Sequence, residues 1–258
     1  MKNNFLLDIQ ETHQNVLGII EYSIEPDFSL SEKINFTKDF GRENQSVDDF
    51  IWIKKIKEAE YAMDLISPLG KIGSMCGNGL ISILKSLRKK EFELREITVR
   101  SLAGTKKVFF RNGKYEAVIG SVNGIQYLEI EGGSGELFRA HFVDLGEPHI
   151  VIEKKGSMPS FLEMEKIFLR YNQEGKIFPS GINFNLVTLK RNNTLEVETF
   201  ERGCLRKTKA CGTGSVSAAA VFQSLGKIES ERVNIQTEGG NFQVMKVGAV
   251  YSIITKKI

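Results

Sequence analysis

The chain has 258 residues, room for two cores of about 130 residues each. Hydrophobic residues make up 41% and charged residues 26%; the formal net charge of +3 is too weak, and the basic residues too scattered, for a nucleic-acid partner. No apolar run approaches a membrane span, and Met1-Lys2-Asn3-Asn4, with Asp8 and Glu11 close behind, lacks a secretory pattern, so a cytoplasmic protein is expected.

Along the chain, the first clear periodicity is at Gly79–Leu87, where Leu80, Ile83, Leu84 and Leu87 follow helical spacing. Arg88-Lys89-Lys90 at its end suits the negative pole of a helix. Short strands follow at Ile97–Val99, Val108–Phe110, Ala117–Ile119 and Tyr127–Ile130, with turn signals at Arg111–Lys114 and Val122–Gly124. Glu131-Gly132-Gly133-Ser134-Gly135 is a candidate boundary or crossover loop. Strands return at Phe184–Thr188 and Leu195–Thr199, around a turn at Arg191–Asn193. Ser215–Leu225 is apolar nearly all round, which predicts a centrally buried helix, and Gly226 suits its end.

Both predicted helices begin from the same kind of turn. One reads Ser74-Met75-Cys76-Gly77-Asn78-Gly79 and the other Lys209-Ala210-Cys211-Gly212-Thr213-Gly214, about half the chain apart. One such turn and one buried helix per half predict two similar domains, residues 1–125 and 126–258, with the last strand free to return to the first. The third cysteine, Cys204, has no such turn and reads as a bystander; three cysteines without a Cys-x-x-Cys pair suggest neither a disulfide framework nor a zinc site.

A cysteine just ahead of a helix meets unsatisfied N–H groups and the positive end of the dipole, which favour thiolate. The glycines let a ligand approach bare backbone, and two facing helix starts could share one α-carboxylate. A sulfur on each side of the α-carbon then suits racemisation: one thiolate removes the proton, the opposite thiol returns another, and the N–H groups stabilise the enediolate-like charge. A lone cysteine before an apolar helix is usually packing, whereas two in matched turns point to chemistry.

With these motifs the sequence resembles the diaminopimelate epimerase family. Met75-Cys76-Gly77-Asn78-Gly79 matches, as does Glu201-Arg202-Gly203 followed by Ala210-Cys211-Gly212-Thr213-Gly214. Weaker matches are Asn15 before Val16–Ile20, Asp48-Asp49 before Phe50–Ile53, Gly146-Glu147-Pro148-His149, and Asn183. The resemblance implies an α+β fold of two pseudo-symmetric domains, each a β-barrel-like sheet around a central helix, with the active site in the cleft between them. It implies an isomerase of amino-acid biosynthesis, acting on diaminopimelate for lysine and cell-wall precursors, with no pyridoxal phosphate and no metal. Cys76 and Cys211 would be the acid/bases, with Glu201 and His149 as polar neighbours of the reacting centre. Gly77, Asn78, Gly212 and Thr213 would hold the reacting end, Arg202 a carboxylate, and Asn15 and Asn183 the distant end. Read alone, Asn15 fits a turn, Asn183 an ordinary strand and His149 a loop. Strand alternation would also send Glu201 and Arg202 to opposite faces unless the strand ends or bulges there.

The departures fall at the distal end. Ser67 stands in Ile66-Ser67-Pro68-Leu69-Gly70 where the family has an asparagine turn, Asp49 completes Asp48-Asp49 in place of an Asp-Gln pair, and Glu147 replaces an asparagine. Glutamate repels a distal carboxylate and needs a partner of its own. Another amino acid, with a cationic or neutral side chain, therefore competes with diaminopimelate as substrate. Proline racemases carry histidine where this chain has Asn78, phenazine-type isomerases lack the cysteine pair, and a non-catalytic binding relative would not need it. The expected partner is a small-molecule amino acid, not nucleic acid or membrane, with a homodimer left open.

Overall fold

Hairpins with left-handed turn residues account for much of the chain in this computed structural model, which describes residues 5–22, 27–133, 135–156, 158–173 and 178–255. The first half runs β1 (Phe5–Thr12), β2 (Asn15–Tyr22), α1 (Leu30–Glu43), β3 (Asp49–Lys57), β4 (Glu60–Ile66), β5 (Ile72–Gly73), α2 (Gly77–Lys90), β6 (Glu96–Ser101), β7 (Gly104–Arg111) and β8 (Lys114–Ser121). The second adds a strand, β9 (Ile125–Glu131), and then repeats the order. It runs β10 (Leu137–Asp144), β11 (Pro148–Glu153), α3 (Phe161–Gln173), β12 (Asn183–Lys190), β13 (Thr194–Glu201), β14 (Arg206–Thr208), α4 (Gly212–Ser224), β15 (Arg232–Thr237), β16 (Gly240–Val247) and β17 (Val250–Thr255).

The strand pairing repeats with the order. In each half a hairpin (β1–β2; β10–β11) leads through an outer helix to a parallel neighbour (β2–β3; β11–β12). A second hairpin (β3–β4; β12–β13) leads through a cysteine turn and inner helix to another parallel pair (β4–β6; β13–β15). Meanders β6–β7–β8 and β15–β16–β17 follow, and the equivalent last strands β8 and β17 pair with each other, with Ala117 opposite Ile253. The result is an α+β fold of two pseudo-symmetric halves, each sheet curling around its inner helix: α2 packs on β1, β2, β6, β7 and β8, and α4 on β10 to β13, β16 and β17.

The register relates the halves residue by residue. Phe50 faces Ile66 as Phe184 faces Phe200, and Leu17 lies beside Asp49 as His149 lies beside Asn183. Counting from these pairs, Asn15 corresponds to Glu147, Asp49 to Asn183, Ser67 to Glu201 and Cys76 to Cys211.

Burial explains the layers. Leu80, Ile83, Leu84 and Leu87 of α2 are buried, and α4 is buried from Gly212 to Phe222, so both helices lie in one central core that runs through both halves. Gly226, at φ +66°, ends the α4 segment as the left-handed residue past its cap. The outer helices cover separate apolar layers: α1 lies over Phe50 and Trp52, and α3 brings Met164, Ile167 and Phe168 onto Phe184 and Phe200.

Two features differ from the sequence reading. The glycine-rich stretch after Glu131 connects the hairpin β9–β10, in which Glu131 faces Leu137, so it is neither a boundary nor a crossover. The passage between halves is at Val122–Gly124, between the unpaired neighbours β8 and β9. The two outer helices, α1 and α3, have no counterpart among the predicted elements.

Candidate active site

The two cysteine turns meet at the centre of the molecule. Cys76 caps α2 and Cys211 caps α4, both in nearly the same extended conformation (φ −130°, ψ 119° and φ −123°, ψ 117°). Glycine at the next position lets the two helix starts abut. A Cβ on Gly77 would lie 2.6 Å from Ile253 Cδ1 and 3.4 Å from Gly212 Cα; one on Gly212 would lie 2.5 Å from Ile253 Cδ1 and 3.3 Å from Gly77 Cα. The positive ends of two helix dipoles thus open side by side, each beside its cysteine, into a cleft of about 720 Å³.

Cys76, Gly77, Cys211, Gly212 and Thr213 line that cleft, joined by Asn15, Asp49, Ser67, Glu147, Asn183, Glu201 and Arg202 from the strand ends around it. Glu201 and Arg202 both reach it because β13 stops at Glu201 and the chain turns through Arg202–Leu205, with Leu205 at φ +54°. Asn78 and His149, expected at the reacting centre, are fully buried behind the cleft wall instead. Cys204 sits between the Glu201 and Arg206 carbonyls and lines no part of the cleft.

Asn78 and Thr213 hold equivalent positions, two residues after each cysteine, and each is backed by a histidine. Asn78 accepts from His13 Nδ1 at 2.9 Å and donates to Asn15 Oδ1 at 2.8 Å and to the Ala210 carbonyl at 3.3 Å, so its amide braces the cleft rather than reaching into it. His13 itself stacks on Phe242, with ring centroids 4.4 Å apart. On the other side, Thr199 Oγ1 donates to Asn185 Oδ1 (3.0 Å) and Asn185 Nδ2 donates to His149 Nδ1 (3.0 Å). His149 Nε2 is then the donor to Thr213 Oγ1 (2.9 Å), which leaves the threonine hydroxyl proton for Cys211 Sγ at 3.4 Å. Burial, assisted by Arg202, lowers the His149 pKa to about 3, so the imidazole works as a neutral relay of hydrogen bonds. Cys76 lacks such a hydroxyl and accepts from the Gly79 N–H at 3.3 Å.

Helix starts alone would lower both thiol pKa values. Here both are pushed up: burial dominates, and the negative charge of Glu201, with that of Asp49 at Cys76, adds to it and outweighs the backbone N–H groups. Both shifts favour the neutral thiol, and a positive charge beside Glu201 or Asp49 would work against them. Burial, with Asp48 and Glu147 nearby, also raises Glu201 to about 7, although Thr208 Oγ1 donates to it at 2.5 Å. Asp49 is raised well above the ordinary carboxylate range by burial and by Glu201, Asp48 and Glu147.

Glu147 is held on both of its oxygens. Oε1 accepts from the N–H groups of Ser74 (2.5 Å) and Met75 (3.2 Å), while Oε2 accepts from Arg202 Nε (3.1 Å) and Nη2 (2.7 Å). Arg202 Nη1 donates to the Ser180 carbonyl at 2.5 Å, and the Arg202 N–H to Asn183 Oδ1 at 2.9 Å. Asn15 and Ser67 are equally engaged, Asn15 donating to Asp48 at 3.2 Å and the Ser67 hydroxyl accepting from the Lys71 N–H at 3.2 Å. The roles of Asn185, Thr199, His13 and the Ser74–Met75 backbone escaped the sequence reading. A polar residue on the inward face of a buried strand, such as Asn185, was the available signal. Among the described residues, no group of His, Cys, Asp or Glu could hold a metal ion, and no helix is long and apolar enough to cross a membrane.

Comparison with known proteins gives this geometry a context. The family model described as diaminopimelate epimerase matches residues 141–250. Diaminopimelate epimerase of Methanothrix thermoacetophila is 32% identical over 212 residues, covering 78% of this chain and 74% of that protein. The enzyme of the same name from Thermotoga maritima is 32% identical over 205 residues, covering 78% and 79%. Among solved structures, a hydroxyproline epimerase from Agrobacterium vitis superposes with a TM-score of 0.71 at 13% identity, over 98% of this chain and 90% of that one. A PhzF-family phenazine biosynthesis protein from Bacillus anthracis does so with 0.67 at 14%, over 97% and 94%; at these identities the likeness is one of fold.

Proposed function

Because the chain belongs to the diaminopimelate epimerase family and is an isomerase of the epimerase and racemase type, we propose that it inverts the α-carbon of a free amino acid by two-thiol proton transfer without a cofactor. The observation that carries this reading is the meeting of two cysteine-capped helix starts through Gly77 and Gly212. An α-carboxylate at that junction accepts N–H groups from both helices, and the same groups stabilise the enediolate as the α-proton leaves. The α-ammonium pairs with Glu201, which removes the share of the upward shift that this charge adds to burial at both thiols.

Cys211, facing the Thr213 hydroxyl, is the better placed of the two to carry the thiolate. Having released its own proton to solvent, it takes the α-proton as a thiolate while Cys76 delivers its proton to the opposite face, and the reverse reaction exchanges the roles. Diaminopimelate, the substrate that names the relatives, presents this reacting end, and its LL-to-meso interconversion is the first reaction to assay. A second reading, another amino acid with the same reacting end, is favoured by the Glu147–Arg202 pair.

Exchange of the α-proton for deuterium, followed by proton NMR, tests the two-thiol step. Cys76→Ser and Cys211→Ser should each lower exchange on the order of 100-fold or more while keeping the wild-type melting temperature. Full activity in either variant would refute it.

A further inference from the structure

Resting on the two-thiol reading, we propose that the side-chain end of the cleft takes an amino acid whose side chain ends in a cation and bears no second carboxylate. Arg202 is the half-buried cation that lines the cleft, and Glu147 has already neutralised it: their side chains are 16% and 8% exposed and meet at 2.7 Å. A ligand carboxylate set against Arg202 would stand within reach of the Glu147 charge as well. Glu147 cannot turn aside without breaking its bonds to the Ser74 and Met75 N–H groups, and a buried carboxylate stripped of its arginine is strongly unfavourable.

The remaining charges point the same way. Asp49 and Glu201 face the same cleft, and the other lining cation, Lys71, is exposed at the rim with its ammonium on the Arg202 carbonyl. Apart from Asp144, which is exposed and accepts from the Gly146 N–H, two carboxyl groups thus stand free of a basic partner in the cleft itself. The α-ammonium of a bound amino acid takes one of them and leaves the other for a cation on the side chain. In an asparagine-type distal site Arg202 would instead be open to a carboxylate. The exchange of that amide for Glu147 supplies Arg202 with an internal carboxylate, so the pocket selects against a carboxylate from the ligand.

L-Lysine and LL-diaminopimelate make the decisive probes, because they share a reacting end, chain length and distal ammonium and differ by the distal carboxylate. L-Norleucine serves as the uncharged control. In deuterium exchange the protein should process L-lysine with a kcat/KM about tenfold or more above LL-diaminopimelate and above L-norleucine. Glu147→Gln, which keeps an acceptor for Ser74 and Met75 but frees Arg202, should move the diaminopimelate-to-lysine ratio about tenfold or more towards diaminopimelate. Preference of the wild-type protein for diaminopimelate, or equal rates on norleucine and lysine, overturns the substrate class while leaving the two-thiol chemistry standing. Ligand-induced thermal stabilisation separates the other case. If no probe exchanges yet L-lysine, and not LL-diaminopimelate, raises the melting temperature, the chemistry fails and the pocket assignment holds. Absence of both exchange and stabilisation by lysine overturns the pocket assignment too.

Discussion

The Thr213 hydroxyl is the last member of a chain in which every proton points towards Cys211. Thr199, Asn185 and His149 fix its orientation, and the neutral imidazole cannot act as an acid of its own. Thr213→Val keeps the shape and removes the one side-chain donor, so kcat/KM should fall on the order of 100-fold and the pH at which the thiolate forms should rise. Thr213→Ser should restore both. A valine variant with wild-type rate and pH profile would show that the hydroxyl serves packing alone. Glu201 gives a second handle on pH. Its folded pKa of about 7 lies above the 4.5 of a free glutamate, so the folded protein binds the proton more tightly than the unfolded chain. Stability from this group is full below about 4.5, falls as pH rises through about 7, and spans up to roughly 3 kcal/mol. Under the proposed pairing of the α-ammonium with ionised Glu201, activity should run the opposite way, with kcat/KM rising through about pH 7. In Glu201→Gln both the stability slope, read from urea midpoints, and the acid limb of activity should disappear.

At the scale of elements, Gly77 and Gly212 let the two helix starts touch, and the proposed reaction depends on that contact. Gly77→Ala and Gly212→Ala each place a methyl against Ile253 Cδ1 and the opposite helix start, so Ile253 must turn away or the junction must open. Exchange activity should fall at least about 100-fold, well beyond what the destabilisation accounts for; retention of activity by either variant would mean that the ligand carboxylate does not sit at this junction. The inner helices were legible in the sequence because their burial is written into their periodicity, and the cysteine turns because residue type and spacing repeat. The outer helices were not. The buried Lys33, Thr37 and Gly41 of α1 interrupt any clean apolar stripe, as does the exposure of Phe161 and Leu162 on α3 beside its buried Met164, Ile167 and Phe168. Their starts did carry a signal in Ser29-x-x-Glu32 and Ser160-x-x-Glu163, where each serine and glutamate bond across the first turn. Local rules could place Glu201 and Arg202 in one strand, but not the end of β13 that turns both into the cleft. Nor could they pair Glu147 with Arg202, 55 residues away, since that contact depends on how β11 and β13 are brought together through β12.

For the whole molecule, the pairing of β8 with β17 decides whether the two halves can behave separately. The central apolar core crosses from one half to the other, and Ile253 of β17 lies fully buried within it with its Cδ1 beside both Gly77 and Gly212. A cleft whose two walls share a core is rigid where the helix starts meet, and unfolding one half strips the other of packed surface. Ile253→Ala removes side-chain contacts from both inner helices at once, so it should destabilise the protein by about 2–5 kcal/mol. Activity should fall with it, because the side chain that packs against both helix starts at Gly77 and Gly212 is lost. The single tryptophan, Trp52, reports on the outer layer of the first half, while far-UV circular dichroism reports on strands and helices in both. In urea the two signals should follow one transition in the wild-type protein and in Ile253→Ala, shifted together to lower denaturant. Separate transitions would mean that the halves are independent domains and that β8–β17 is only a seam between them. Coincident ones make the strand exchange at β17 the feature that holds both cysteines to a single geometry.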